Sequence, residues 1–520
     1  MFCLNTTAPY DSFKMELNDE IYVDKTEMIA DISRQIGKGR RFICITKPRR
    51  FGKSVNANML AAYYSKGVDS HSLFEHCSIS GQPDYETHLN KHNVITLSLN
   101  QMPETCNSFQ EFRDYVVKLL RYDLCMAFPA LNDLPFDNVR DLLIASGEKY
   151  IFILDEWDSI FYKDFMTEAD NERYLRFLEN LLKNQSYVEL AYMTGVLPIA
   201  KYSSGSALNM FEEYSFLDDD LYDRYFGFTS NEVMKLCERY EKPTFEEIKF
   251  WYDGYYMTNG EPLFNPRSVN SALARGRCRN YWTETGPMTE IEDCIKNNID
   301  AVREDLVQLV SGNSIEIKLS GYSAANLSLE SRDEILSAMV VFGFLSYHDQ
   351  ILRIPNHELM EKFQRVLAIK GMGKVKQIVD RSEELLKATI AMDAKKVASV
   401  MEDIHDTEVP FLQYNDENSL SCVITLAYLA ARDYYAVTRE EKSGKGFCDY
   451  LFIPYKKDRP AIILELKYGK TAEDAISQIK KKNYVQRVKD IKEVLFVGIN
   501  YNKEDKCHEC IIEKYMPGLM

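Results

Sequence analysis

The chain has 520 residues, 45% of them hydrophobic and 27% charged, with a formal net charge of −16 at neutral pH. That length exceeds what one hydrophobic core organises, so about two to four domains are expected. The acidic balance excludes a surface that grips nucleic acid throughout and confines any such contact to a local basic cleft. No apolar run approaches the roughly 18 residues of a membrane helix, and residues 1–10 lack a charged segment followed by an apolar core, so a cytoplasmic protein without membrane contact is expected. Twelve cysteines in a chain this long read as thiols of a reducing compartment.

In chain order, Tyr22-Val23-Asp24-Lys25-Thr26 comes first and reads as a structural lead-in, with a place beside a nucleotide base as the alternative. Met28, Ile29, Ile32 and Ile36 then recur at helical spacing, with Thr26 placed as a cap and Gly37 and Gly39 as the stop. Phe42-Ile43-Cys44-Ile45-Thr46 is a β-branched apolar run, Lys47-Pro48-Arg49-Arg50-Phe51-Gly52-Lys53-Ser54 a short loop, and residues 55–64 are helix-compatible. At a strand-loop-helix junction the loop amides and the helix N-terminus converge. A phosphate can be cradled there, with the Lys53 ammonium on its terminal oxygens and Ser54 available to Mg²⁺. Lys47 stands where the usual loop has its first glycine, and on this stretch alone a basic surface loop is the competing reading.

Residues 94–99 predict a strand and 109–124 an amphipathic helix. Tyr150-Ile151-Phe152-Ile153-Leu154 is a buried-strand run ending in Asp155 and Glu156. A P-loop enzyme uses such a pair to hold Mg²⁺ (Asp155) and to polarise the attacking water (Glu156). A further strand over 188–193 ends in Thr194-Gly195, where ATPases of the AAA class place a polar sensor of the γ-phosphate; elsewhere a threonine there is a turn residue. Strands alternating with helices predict an α/β fold with a mostly parallel sheet covered on both faces. From residue 216 aromatic and turn residues become dense, which reads as a small helical lid. Residues 291–344 have helical spacing and no visible chemistry, and 370–410 read as helices leading into a last domain. The expected organisation is an ATPase core over 1–215, a lid and linker region over 216–370, and a third domain over 371–520.

That third domain carries a second constellation. Residues 449–453 predict a strand, 454–460 a turn and 461–467 the returning strand. With the hairpin centred near Lys457, equal counts of eight residues set Asp449 opposite Glu465, and Lys467 shares the Glu465 face. Two carboxylates and a lysine on one face can hold Mg²⁺ or Mn²⁺ and orient a water for attack on phosphorus. A surface salt bridge is the competing reading, although unpaired charge at the end of an apolar strand is costly. Residues 472–484 form a helix with Gln478 and Lys480-Lys481-Lys482. Basic residues outnumber acidic ones from Arg439 to Lys492, which fits a phosphodiester substrate. The flanks of Cys507-His508-Glu509-Cys510, residues 494–499 and 511–515, read as two strands around an Asn502-Lys503-Glu504-Asp505 turn. Thiols three apart on a strand diverge, so no metal site is expected there.

With both constellations in view, the sequence resembles a family of bacterial proteins that join an AAA-ATPase-like domain to a C-terminal nuclease of the PD-(D/E)XK superfamily. Matching stretches are Tyr22-Val23-Asp24-Lys25-Thr26, Pro48-Arg49-Arg50-Phe51-Gly52-Lys53-Ser54, Leu154-Asp155-Glu156, Thr194-Gly195-Val196, Trp251-Tyr252-Asp253-Gly254-Tyr255, Asn265-Pro266, Glu440, Gly446, Asp449, Glu465-Leu466-Lys467 and the helix with Gln478. The resemblance implies a P-loop core with a helical lid and a restriction-endonuclease-like α/β domain. It implies ATP and Mg²⁺ as cofactors and nucleic acid as partner, DNA and RNA both open. Arg49, Arg50, Phe51, Gly52, Lys53, Ser54, Asp155 and Thr194 would bind the nucleotide, Ser54 and Asp155 its Mg²⁺, and Glu156 would be catalytic. Asp449 and Glu465 would bind the second metal, Lys467 would position the water, and Gln478 would contact substrate or hold the site together. Two departures stand out: Gly446-Phe447-Cys448-Asp449 replaces the family's Gly-Arg-x-Asp, and Asn418-Ser419-Leu420-Ser421 follows Glu417 in place of a Tyr-His pair. AAA assemblies usually borrow an arginine from a neighbouring subunit, so a homo-oligomer is allowed, but spacing assigns no arginine, Arg224 and Arg267 included, to that role. The function expected is an ATP-dependent or ATP-regulated nuclease, with a nucleotide-switched binding or scaffolding protein as the alternative.

Overall fold

The computed structural model describes residues 1–136, 138–199, 207–282, 299–319, 329, 331–367, 374–405, 423–443, 446–456, 458–482, 488, 491–502, 504 and 507–516. The described chain forms two compact units, Met1–Pro287 with Ile317–Glu358, and Met288–Glu316 with Leu359–Met520.

In the first unit the apolar runs become strands β1 (Phe42–Thr46), β2 (Asn93–Ser98), β3 (Tyr150–Asp155) and β4 (Val188–Gly195). A fifth strand, β5 (Glu212–Tyr214), is one the sequence reading missed. They form a parallel sheet in the order β2-β3-β4-β1-β5. All five residues of β1 and the first five of β3 are buried, as strands of a sheet covered on both faces are. Helix α1 (Ala8–Leu17) packs on α3 (Lys53–Tyr64), and α3 on β3. Since β4 lies between β1 and β3, the loop after β1, the carboxylates ending β3 and Thr194 ending β4 converge at one edge. In open α/β sheets ligands bind outside these carboxyl ends.

The β2 edge does not face solvent bare. Asn5 N donates to Val94 O (2.7 Å), Thr96 N donates to Cys3 O (2.9 Å), and Asp123 Oδ2 accepts from the amides of Phe2, Cys3 and Leu4. This cover removes a pairing template. The helix after residue 26, α2 (Met28–Ser33), is not capped by Thr26 as expected; its N-cap is Glu27, which makes no side-chain cap bond. Thr26 Oγ1 instead donates to Asp24 Oδ1 (2.7 Å) and accepts from Ile79 N (3.1 Å).

Beyond residue 216 the helices Ser230–Arg239 and Phe245–Tyr252 each begin with a reciprocal cap, Thr229 with Glu232 and Thr244 with Glu247. Pro266–Arg275 begins with Asn265 as N-cap and proline in its first turn, which explains the Asn265-Pro266 motif. Among them lie three short strands, β6 (Phe228–Thr229), β7 (Tyr255–Tyr256) and β8 (Pro262–Phe264), in the order β6-β8-β7.

The second unit contains a five-stranded mixed sheet of β9 (Tyr435–Ser443), β10 (Gly446–Pro454), β11 (Ala461–Tyr468), β12 (Val494–Asn502) and β13 (Cys507–Tyr515), in that order. Only β11 and β12 are parallel, and the helix Ala472–Lys482 crosses between them, burying Ile476 and Ile479 on the sheet. On β13, His508 is buried while Cys507 and Glu509 beside it are exposed. Residues 483–484 of the expected helix, Lys457, Lys503, Asp505, and Glu417 through Ser421 lie outside the described residues, as do the side chains of Glu440, Phe447 and Cys448. Among the described residues no helix is long and apolar enough to cross a membrane.

Candidate nucleotide site and candidate metal centre

The loop after β1 turns through Arg50 (φ 71°) and Gly52 (φ 90°), and α3 starts at Lys53. Phe51 is its anchor. The ring is buried against Phe216 and Tyr255, centroids 5.5 and 5.2 Å away, and its carbonyl accepts from Gly227 N at 3.1 Å. Arg49 is half-buried; Arg50 and Ser54 are exposed. Lys53 is folded back, its Nζ donating to the carbonyls of Lys47 (2.9 Å) and Pro48 (2.8 Å). Burial pushes its pKa down to about 8, opposed by the charges of Asp158, Asp155 and Glu156. Among the described residues the ammonium is held by carbonyl dipoles with no anion in contact, and a phosphate would supply one.

Asp155, ending β3, has its pKa raised by burial, opposed by a hydrogen bond from the Ser54 hydroxyl. The two residues expected on Mg²⁺ are thus side by side. Glu156 is half-buried at φ 51°, a left-handed conformation rare for a non-glycine residue, and its N donates to Asp155 Oδ1 (3.0 Å). Thr194 is fully buried at the end of β4, and its carbonyl accepts from Trp157 N (3.2 Å). The sequence reading missed Asp158. It is buried and its Oδ2 accepts from Val196 N (3.1 Å) and Leu197 N (2.8 Å), tying the end of β3 to the end of β4. Its only sequence signal is a third acid within four residues of the strand end.

Gly195 sits under this tie. A Cβ there would fall 2.3 Å from Asp158 Oδ1 and 2.5 Å from Trp157 Cδ1. Gly195→Ala is therefore expected to cost about 2 kcal/mol or more through overpacking; denaturant unfolding checks it, and a melt within about 0.5 kcal/mol of wild type would refute it.

The Tyr22-Val23-Asp24-Lys25-Thr26 motif is a staple. Asp24 Oδ2 accepts from Ser78 N (2.6 Å) and Oγ (2.8 Å), and Lys25 Nζ pairs with Glu232 at 2.6 Å. Arg224 pairs with Asp31 at 3.1 Å.

In the second unit, β10 and β11 pair Tyr450 with Leu464 and Phe452 with Ile462, a register whose next step sets Asp449 opposite Glu465. Asp449 Oδ2 accepts from Leu466 N at 2.6 Å. Glu465 is 1% exposed, and its pKa is pushed up to about 7 by burial and the charge of Asp449, opposed by Lys467. Lys467 Nζ lies 2.9 Å from Glu465 Oε1 and donates to Leu466 O at 2.9 Å. Gln478 Nε2, from the helix Ala472–Lys482, donates to the same Glu465 Oε1. All four expected residues therefore meet. Glu465 Oε2 is buried without a hydrogen-bond partner among the described residues, an orphaned acceptor opposite a second carboxylate, and this donor set fits a hard divalent cation. Among the described residues no group of three or more His, Cys, Asp or Glu side chains is placed to hold a metal ion.

A pH dependence follows for metal-free protein kept in chelator. Folding raises the Glu465 pKa from 4.5 to about 7, so the folded state holds the proton more tightly. Its contribution favours the fold fully below 4.5 and is lost as pH rises through about 7. The stability of wild type relative to Glu465→Gln is expected to fall over that window by up to about 3 kcal/mol. Denaturant melts at several pH values check it, and a flat difference counts against it.

Residues 10–204 match the family model of a predicted AAA-ATPase, and residues 415–510 match that of the PD-(D/E)XK nuclease superfamily. No curated protein matches the chain. Among solved structures the chain is similar to the Aeropyrum pernix ORC2 protein in its ADPNP-ADP complexes. Identity is 12%, coverage 67% of this chain and 96% of that one, and the TM-score 0.31.

Proposed function

From a chain that carries an AAA-ATPase-like domain and a PD-(D/E)XK nuclease superfamily domain, we propose a protein that binds and hydrolyses ATP and cleaves phosphodiesters of nucleic acid with a metal-dependent domain. At the first site Lys53 leaves the carbonyls of Lys47 and Pro48 for the β and γ phosphates. Ser54 and Asp155, whose hydroxyl and carboxyl interact across the junction, are the pair for the nucleotide's Mg²⁺, and Glu156 is the base that orients the attacking water. Thr194 stands at the strand end where the γ-phosphate would be sensed, with Arg49 and Arg50 flanking the phosphates.

At the second site Asp449 and Glu465 would hold Mg²⁺, which when bound supplies a Lewis acid at phosphorus. Lys467 orients the water and Gln478 fixes the Glu465 carboxylate. The observation that carries this reading is the unbonded, buried Glu465 Oε2 beside the Lys467 ammonium. A second reading, a nucleotide-switched protein that grips nucleic acid without cutting it, is favoured by the lack of a three-member ligand group among the described residues. Purified protein incubated with circular DNA, linear DNA and RNA, in Mg²⁺ or Mn²⁺, with and without ATP, separates the two. Metal-dependent cleavage supports the first; retention of nucleic acid with no cleavage in any arm supports the second.

A further inference from the structure

Lys47 stands in the place of the loop's first glycine, yet its side chain does not reach solvent. Its ammonium lies 2.7 Å from Asp219 Oδ2, with the two side chains 3% and 1% exposed, and donates to Ser215 O at 3.1 Å. Ion pairs are seldom buried so fully, because desolvating both partners is costly unless the geometry is fixed on both sides. Here it is. Asp219 Oδ1 accepts from Tyr222 N (2.7 Å) and Leu221 N (3.1 Å), while Thr258 Oγ1 donates to Asp219 O (2.7 Å) and Thr258 N to Asp223 Oδ2 (3.0 Å). On the other side, Lys47 N donates to Gly195 O at 3.1 Å, and Lys47 O accepts from Lys53 Nζ at 2.9 Å. One residue thus joins the end of β4, the phosphate-loop lysine and the segment 215–258.

We propose that Lys47 is the positioning residue of the phosphate loop: its buried pair with Asp219 fixes the loop to the 215–258 segment and so sets where the Lys53 ammonium stands. A glycine at this position would leave the loop free to bend; the lysine trades that freedom for an attachment. Loop placement and the arrangement of 215–258 are then coupled, so nucleotide engagement by Lys53, which removes its bond to Lys47 O, is felt at Asp219. The inference rests on the ATP reading for its consequence in binding, but the attachment can be measured without nucleotide.

The test compares wild type, Asp219→Asn and the double variant Lys47→Met/Asp219→Leu, which leaves no charge buried. Amide hydrogen exchange of ligand-free protein reads residues 49–53 against 93–98 as an internal control, and calorimetry reads ATP affinity. Expected are faster exchange at 49–53 in both variants with 93–98 unchanged, and ATP bound at least tenfold more weakly. The double variant should melt near wild type, so a merely structural pair predicts recovered affinity and recovered loop protection there. That recovery, or unchanged exchange at 49–53 in Asp219→Asn, overturns the proposal. If Asp219→Asn fails to fold, the double variant alone decides. If wild type does not bind ATP, the ATP reading falls and the exchange data still decide the attachment.

Discussion

Lys53→Ala is expected to weaken ATP binding by roughly 100- to 1,000-fold, the largest loss of any single change in the first unit. The ammonium now donates to two neutral loop carbonyls at 2.9 and 2.8 Å; on phosphate oxygens each such bond gains an anionic acceptor and is worth about 1.5–3 kcal/mol. Two of them account for the loss without any other contact. Alanine supplies neither, and its methyl leaves the site with Arg49 and Arg50 as remaining positive charge, one half-buried and one exposed. Glu156→Gln makes the contrasting case: the carboxylate is half-buried beyond Asp155 and is the base in the proposed reaction, so binding should persist while hydrolysis slows. Calorimetric ATP titrations and steady-state phosphate release measure both. Unchanged affinity in the Lys53 variant would sink the phosphate-loop assignment.

The strands that frame this site were legible because each is a continuous apolar run closed by a change of texture, as burial on both faces demands. Strand β5 was not, since Glu212-Glu213-Tyr214 is short and polar at the sheet edge and carries neither run nor alternation. Strands β6 to β8, two or three residues each, are too short for a period of two to show. The facing of Asp449 and Glu465 was legible by counting, because a hairpin's register follows from its centre. What counting could not supply was any contact between elements: Gln478 on Glu465, Asp158 on the amides after β4, or the inward turn of Lys47. A lysine in a loop reads as solvated, and only the burial of Asp219 on a distant segment reverses that. Thr26 misled for a related reason. Asp24, two residues earlier, takes its hydroxyl, and local side-chain bonds of this kind compete with capping.

For the second unit the decisive substitution is Asp449→Asn. It is expected to cut Mn²⁺ affinity, and cleavage with it, by roughly 100-fold or more, since one of the two proposed hard anionic ligands becomes a neutral amide. ATP hydrolysis should stay near wild type, because its residues belong to the other compact unit. The fold is expected to hold. An asparagine oxygen can still accept from Leu466 N, as Asp449 Oδ2 does at 2.6 Å, and Glu465 loses the like charge that helps push its pKa up to about 7. Metal-free Asp449→Asn should therefore melt at or slightly above the wild-type temperature near neutral pH. A purely structural salt bridge predicts the reverse: a carboxylate lost from a network holding Lys467 would lower the melting temperature and leave Mn²⁺ binding untouched. Mn²⁺ titration calorimetry of both proteins, run beside melting curves in chelator, separates the outcomes. Should wild type bind no Mn²⁺ even with a non-cleavable nucleic-acid analogue present, the nuclease reading fails, and the protein that grips without cutting becomes the better account of Glu465, Lys467 and Gln478.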